Sequence, residues 1–398
     1  MKKLMILGAS ILQLPAIEKA KEMGLEVIAV DMNPKAIGFT VKGVVREVIS
    51  TIDTPAILNA AKKHGIDGII TLASDLPMRS VAAVSHALGL VGISEDTALK
   101  ATNKAYMRDA LKEFGVPIPF YYRVKDKDGF VKAVDKIRNA GYKSIVKPAD
   151  NSGSRGVDLL TLDADLDKAY EYTFNYSRSG EIVVEEYMEG SEVSVETIAL
   201  DGNIHIIQIT DKLTTGAPYF VEMGHSQPSQ LTESIKEQIK AVAIAANKAI
   251  DIQNGPSHTE IMVTKDGPKV VELGARLGGD CITTHLVPLS TGVNMVECSI
   301  MIALGEKPDI EPKWSKGSAI RYLKTGVGIV KEINGIEDAE NVEGVTQVSI
   351  VHGVGEKVGE IKSSVDRGGF VVAQAENAKK AVAIAEKGVS MIKVEVGN

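Results

Sequence analysis

The chain has 398 residues, 44% hydrophobic and 24% charged, with a formal net charge of −7. That length predicts two or three domains. The acidic balance speaks against a nucleic-acid binder, since no surplus of Lys and Arg exists to neutralise phosphates. The two cysteines, Cys281 and Cys298, supply neither a disulfide framework nor a four-cysteine metal site. The opening apolar run is too short for a signal peptide or a membrane span, so a reducing, cytoplasmic setting without a membrane partner is expected.

Residues 1–95 alternate strand and helix signals. Leu4–Leu7 is an apolar run ended by Gly8-Ala9-Ser10; a helix from Leu14 to Met23 stops at Gly24; Val27–Val30 ends at Asp31. A second unit follows, with a helix from Ile57 to His64, Gly65 as its stop, and Gly68–Thr71 as strand. Such apolar strands suit a parallel sheet covered on both faces. A dinucleotide fold requires Gly-x-Gly-x-x-Gly after strand one, and Gly8–Pro15 lacks the second and third glycines. Asp31 fits either a ribose ligand or a strand-end cap.

Residues 94–115 read as a helical region, ended by Gly115 and Pro117. Ile145-Val146-Lys147-Pro148 then places a lysine at the end of an apolar strand. The following Ser152-Gly153-Ser154-Arg155-Gly156 is either a loop whose backbone N–H groups and hydroxyls cradle phosphate, or an ordinary hairpin turn. It lacks the spacing of a P-loop. Ile182–Glu192 carries an apolar strand into a cluster of carboxylates, suited to ribose hydroxyls and an adenine amino group or to a solvated strand end. Ser234–Ile250 reads as a helix capped by Ser234 and Glu237. Residues 307–316 read as a linker, and the last helix spans Asn377–Lys387, stopped by Gly388.

The most informative stretch is His258–Arg276, two strands joined near Asp266-Gly267. A two-residue loop at Asp266-Gly267 puts Glu260 opposite Leu273 and Glu272 on the other face. A three-residue loop, Lys265-Asp266-Gly267, puts Glu260 directly opposite Glu272, with Cβ atoms about 5 Å apart. The three-residue loop is the expectation. Two carboxylates so close need a positive partner: a hard cation such as Mg²⁺, or else a shared proton or a lysine across the sheet. Arg276 and the turn Leu277-Gly278-Gly279-Asp280 then offer donors to an oxyanion or a transferred phosphoryl group.

This ordered set resembles the ATP-grasp superfamily. Within it, Glu272–Asp280, Gly224–Ser229 and Ser318–Leu323 resemble most the carboxylate–amine ligases that include the L-amino-acid ligases, with relatives in purine biosynthesis and carbamoyl-phosphate synthesis. The resemblance implies an α/β and α+β protein: a Rossmann-like preATP-grasp domain (1–95), a two-lobed ATP-binding domain (96–306) and a small C-terminal α+β domain (307–398) closing the site. It implies ATP and Mg²⁺, with Mn²⁺ able to replace it, and small-molecule carboxylate and amine substrates. Lys104 and Lys147 match the lysines on the ATP phosphates, and Ser152, Gly153, Ser154 and Gly156 the loop over them. Glu185, Glu186, Tyr187 and Met188 match the hinge at adenine, and Glu192 the ribose partner. Glu260 and Glu272 match the magnesium ligands. Arg276 matches the arginine facing an acyl phosphate, with Arg321 reaching in from the last domain.

One departure stands out: the family pattern Glu-x-Asn-x-Arg reads here Glu272-Leu273-Gly274-Ala275-Arg276, so position 274 has no side chain to donate. The implied activity is amide-bond formation through an acyl phosphate, with amino acids as first substrates. The alternatives are a phosphoribosylamine–glycine type ligase, an ATP-binding regulatory protein without turnover, and a dehydrogenase built on residues 1–95. No nucleophilic side chain is required. Cys281 and Cys298 read as core, and His225 and His285 as structural. A homodimer is the default assembly.

Overall fold

In the computed structural model, which describes residues 1–153 and 155–397, four sheets are laid out along the chain. The first holds β1 (Lys3–Leu7), β2 (Glu26–Val30), β3 (Val44–Glu47) and β4 (Gly68–Ile70), all parallel in the order β3-β2-β1-β4. β1, β2 and β4 are buried on both sides, as their apolar runs require, while the edge strand β3 is partly exposed. Gly24 and Gly65 follow the helices Leu14–Glu22 and Thr54–His64 at positive φ, the backbone region that a helix stop of this kind needs. Asp31 spends its carboxylate on the backbone N–H groups of Ala9 and Asn33 at 2.8 and 2.9 Å, the strand-end cap rather than a ribose ligand.

The second sheet contains β5 (Tyr121–Val124), β6 (Ser144–Pro148), β7 (Asp158–Leu160) and β8 (Ile182–Glu186), antiparallel in the order β5-β8-β6-β7. The helical region before it consists of two helices, Glu95–Thr102 and Lys104–Glu113. They break at Asn103, whose backbone is extended and whose side chain caps the second helix through the N–H groups of Ala105 and Tyr106. That break sets Lys104 at a helix start.

The central sheet has eight strands. Its first five in chain order are β9 (Ser191–Leu200), β10 (Asn203–Thr214), β11 (Glu222–Gln227), β12 (Gly255–Thr264) and β13 (Gly267–Gly274). It continues into the last part of the chain through β14 (Gly317–Tyr322), with β15 (Gly328–Asn334) set apart, then β16 (Val345–Ile350), and, beyond β17 (Lys357–Val358), β18 (Gly369–Ala375). The order is β13-β12-β9-β10-β11-β14-β18-β16, while β15 pairs with β17 and β19 (Lys393–Gly397) in a small third layer. One face of the central sheet is apolar: Val193, Val195, Ile261 and Leu273 pack with Ile239, Val242, Ala246 and Ile250 of the helix Glu233–Ile250. Side chains alternate along a strand, so the residues between these point the other way. That second face carries Glu192, Lys212, His225, His258, Glu260 and Glu272.

Two helix ends differ from expectation. The helix Glu233–Ile250 is entered from Thr232 rather than capped by a Ser234–Glu237 box. The last helix, Ala378–Met391, runs through Gly388 instead of stopping there. Gly388 sits where the helix crosses β18: a Cβ on it would come within 2.9 Å of Val371 Cγ1. The glycine serves close packing, not termination. No single helix among the described residues is long and apolar enough to cross a membrane.

Gly388→Ala is therefore expected to destabilise the protein by about 1–3 kcal/mol through overpacking, although alanine is the better helix former by about 1 kcal/mol. Urea denaturation checks this, and a more stable variant would contradict the packing role.

Candidate active site

The hairpin β12–β13 decides the site. Its turn is the two-residue Lys265-Asp266, with Thr264 paired to Gly267, so the expected three-residue loop is incorrect. Continued without interruption, that register would set Glu260 beside Val271. A β-bulge intervenes: Ile261 pairs with Val270, Glu260 with Glu272, and Val271 is left over. The carbonyl of Val271 is taken by Arg108 Nη2 at 2.7 Å, which accounts for the interrupted ladder. The outcome is the expected one by a different route. Glu260 and Glu272 stand opposite each other on the polar face.

Each of the two carboxylates already has a cation. Lys104 Nζ lies 2.8 Å from Glu272 and also donates to the Asn151 carbonyl at 2.7 Å. Lys212 Nζ lies 2.9 Å from Glu260, 2.5 Å from Glu192 and 3.6 Å from Glu222. Burial works against the charge of Lys212, yet Glu260, Glu192 and Glu222 hold its pKa well above the ordinary lysine value. Burial likewise opposes the charge of Glu260, but Lys212 and His258 hold its pKa well below the carboxylate range. His258 Nδ1 in turn meets Glu196 at 2.8 Å; burial pushes the imidazolium down, and Glu196 outweighs it, holding the pKa up at about 9.

Two cavities meet at this wall. The larger, about 560 Å³, lies between the second sheet and the central one. Ile145, Val157, Met188 and Met262 give it apolar sides, and Lys104, Lys147, Arg155, Glu185, Glu186, Tyr187 and Glu192 its polar ones. The smaller, about 330 Å³, is lined by Asp75, His225, Arg276, Asp280 and Lys362 among others. Ser152, Gly153, Lys212, Glu222, Glu260 and Glu272 line both.

Within the larger cavity, Lys147 Nζ donates to Glu185 Oε2 at 2.8 Å and Arg108 Nε to Glu185 Oε1 at 2.6 Å. Burial raises the Glu185 pKa, but the two cations outweigh it and hold it at about 2. Glu185 is therefore a buried structural anion that positions Lys147. Glu186 accepts from the Phe120 N–H and from Lys269. In the loop, Ser152 and Gly153 reach the shared wall, while Gly156 lines neither cavity. Its φ is +75°, and a Cβ there would come within 2.5 Å of Tyr176. Ser154 lies outside the described residues.

Arg276 faces the smaller cavity but is held at two points by Asp75, which follows β4: Nε to Oδ1 is 2.8 Å and Nη2 to Oδ2 3.2 Å. A Cβ on Gly274 would sit 3.0 Å from Asp75 Oδ1 and 3.2 Å from Arg276 Cζ. The bare position 274 makes room for this ion pair.

Arg321 is a correction. Its side chain leaves the cavities, meets Glu386 at 3.2 Å and the carbonyls of His225 and Ile320, and lines a separate cleft. The arginine that approaches from the C-terminal region is Arg367, bidentate to Asp280 at 2.7 and 2.8 Å and stacked 3.7 Å over Tyr322. It brings Lys362, Ser363 and Ser364 to the smaller cavity. His225 also faces this cavity, with Nε2 3.4 Å from Asp280. Burial pushes both cysteine thiols up to about 12, which disfavours the thiolate that a nucleophile needs. Sequence reasoning missed Lys212, His258, Asp75, Glu222 and Arg367. The available signals were a lysine ahead of the Gly216-Ala217-Pro218 turn, a histidine at even spacing from Glu260, and an arginine before Gly368-Gly369.

Among the described residues no group of three or more His, Cys, Asp or Glu is placed to hold a metal by itself. A pair of carboxylates on one face is a different donor set, one that suits an ion completed by phosphate oxygens, as Mg²⁺ commonly is.

Residues 140–284 match the family model of an ATP-grasp domain, and residues 321–397 match L-amino acid ligase C-terminal domain 2. An L-arginine-specific L-amino acid ligase of Bacillus subtilis is 27% identical over 292 residues, 69% of this chain and 67% of that protein. The alanine–anticapsin ligase of Bacillus subtilis (strain 168) is 30% identical over 246 residues, 56% of this chain and 51% of that protein. The crystal structure of an L-amino acid ligase from Bacillus licheniformis shares the fold, with a TM-score of 0.86 and 23% identity, covering 100% of this chain and 99% of that one. The chain thus carries an ATP-grasp domain followed by an L-amino acid ligase C-terminal domain, and these matches support an ATP-dependent carboxylate–amine ligase.

Glu185 supplies a pH prediction. Its folded pKa of about 2 lies below the ordinary 4.5, so its ionised form contributes full stability above about pH 4.5. That contribution is lost as pH falls toward 2. Glu185→Gln is expected to cost about 3–5 kcal/mol at neutral pH, as removal of one buried ionic partner does. In urea titrations its deficit relative to wild type should shrink as pH falls from about 4.5 toward 2. A deficit independent of pH contradicts the assignment.

Proposed function

We propose that this ATP-grasp ligase joins two amino acids, or an amino acid and another small amine, with ATP consumed to ADP and phosphate. The observation that carries this reading is the shared wall: six residues, the paired glutamates among them, line both cavities at once. A nucleotide in the larger cavity would point its terminal phosphate at a substrate in the smaller.

In this reading adenine lies among Ile145, Met188 and Met262 at the hinge of Glu185–Met188, with Glu192 at the ribose hydroxyls. Lys104 and Lys147 face the phosphates, and Ser152 and Gly153 of the loop cover them. Glu260 and Glu272 would hold Mg²⁺, for which Mn²⁺ can substitute; bound there, the ion offsets charge on the phosphate oxygens. The smaller cavity offers both charge signs, Arg276, His225 and Lys362 beside Asp75, Glu222 and Asp280, which suits zwitterionic substrates. Its volume lies in the range of small-ligand sites.

The substrate carboxylate attacks the terminal phosphorus of ATP. A new P–O bond forms as the bond to ADP breaks, leaving an acyl phosphate. Arg276 is placed to meet the negative charge of this group, once released in part from Asp75. The amine then attacks the acyl carbon, phosphate leaves, and an amide remains. Ser152 and Gly153, closing from above, and Lys362 to Ser364, reaching in from the C-terminal region, limit water that would hydrolyse the intermediate. The match to the L-amino acid ligase C-terminal domain favours amino acids over the phosphoribosylamine–glycine alternative. The packed ion pair at Gly274 gives the missing asparagine a structural reason, which favours turnover over a regulatory role. The chain is proposed to work in the cytoplasm.

A screen of amino-acid pairs is expected to find ADP and phosphate release that requires both an acid and an amine. Arg276→Met should lower kcat for the responsive pair by about 10²–10³. ATP binding by calorimetry with no release for any pair contradicts the ligase reading and leaves the regulatory one.

A further inference from the structure

The ammonium of Lys212 occupies the junction of the two cavities, 3% exposed, among three carboxylates. It donates to Glu192 at 2.5 Å and to Glu260 at 2.9 Å, and faces Glu222 at 3.6 Å. Two of its three N–H donors thus meet acceptors at hydrogen-bond distance, and Glu222 stands at ion-pair distance. One lysine offsets only part of the negative charge that three carboxylates bring together, and the crowding shows in Glu192, whose pKa burial and Glu260 push up. His258 approaches Glu260 at 3.5 Å, but its own charge is matched by Glu196.

Glu260 and Glu272 are held differently. Lys104 has a second anchor in the Asn151 carbonyl, and the Glu272 side chain is 32% exposed, so a cation can approach Glu272 while Lys104 stays. At Glu260 the same oxygen, Oε1, takes both Lys212 and His258. A divalent ion arriving at the other oxygen of Glu260 meets the positive charge of Lys212 close by. In a buried setting that repulsion is poorly screened. The negative charge left over by Lys212 suits such an ion, but only once Lys212 has another anion to turn to. A nucleotide phosphate at the junction is such an anion.

We propose that Lys212 is a resident counter-cation that competes with the divalent ion for Glu260. It keeps free metal weakly bound and makes tight metal binding depend on nucleotide phosphates, which take over the lysine. Lys212 acts through Glu260 and is a positioning residue. The proposal rests on the reading that Glu260 and Glu272 are the metal ligands.

The test is Mn²⁺ binding to the full chain without nucleotide, followed by the electron paramagnetic resonance of free Mn²⁺. Lys212→Met and Lys212→Gln are expected to bind Mn²⁺ at least about tenfold more tightly than wild type, or about 1.4 kcal/mol. Lys212→Arg, which keeps the charge, should stay near wild type. Both neutral variants should melt at lower temperature without metal and gain more from Mn²⁺ than wild type does. Adding ADP should narrow the affinity gap. If the neutral variants do not fold unaided, excess Mn²⁺ alone should restore the fold, and failure to do so overturns the proposal. Unchanged Mn²⁺ affinity in both neutral variants, with Glu260→Gln still weakening it, overturns the role of Lys212 and leaves the metal ligands standing. Mn²⁺ affinity indifferent to both Glu260→Gln and Glu272→Gln overturns the metal reading itself.

Discussion

Two carboxylates facing each other across one β-ribbon cannot be left alone. Glu260 and Glu272 are opposite neighbours on the polar side of the central sheet, and their repulsion sets the terms for what surrounds them. The chain answers with lysines from two directions, Lys104 from a helix start and Lys212 from β10. His258, on the same strand as Glu260, adds a third positive group backed by Glu196. This is an arrangement of like charges kept apart by removable cations, placed where two cavities join.

The same wall is where distant parts of the chain are pinned to one another. Asp75 from the parallel-sheet region holds Arg276. Arg108, from the helix Lys104–Glu113, bridges Glu185 on β8 and the bulged carbonyl on β13. Arg367, from the segment between β17 and β18, holds Asp280. Each pair is largely withdrawn from water, so its worth lies less in net stability than in fixing geometry, since either partner alone would be a stranded charge. The site is thus assembled from residues that are far apart in sequence, and its precision depends on all three ion pairs persisting together.

The parts legible in the sequence were those carried by local pattern. Apolar runs of four or five residues with glycine stops marked the parallel sheet, and the strand–turn–strand pattern at residues 258–276 marked the ribbon. Long-range contacts were not legible. The turn of the ribbon was misplaced by one residue, and the pairing of Glu260 with Glu272 came out as expected only because a bulge at Val271 shifts the register back. The carbonyl it frees is met by Arg108, some hundred and sixty positions away, a contact that leaves no local trace. Gly388 read as a helix stop because local sequence cannot show Val371 pressing on it. Arg321 read as a site residue from its motif, yet its alternation along β14 turns it to the Gly224 side and away from the cavities. Lys212 lay in a strand with no recognisable motif, and its importance appears only when three strands bring their glutamates to it.

The central claim is that Glu260 and Glu272 grip one divalent ion against a nucleotide at the junction of the cavities. Crystals grown with Mn²⁺ and ADP, with data collected at the manganese absorption edge, address it directly. The account predicts an anomalous peak between the two carboxylates, touching the phosphates of ADP in the larger cavity. ADP bound there with manganese elsewhere, or nucleotide bound away from the shared wall, would contradict it.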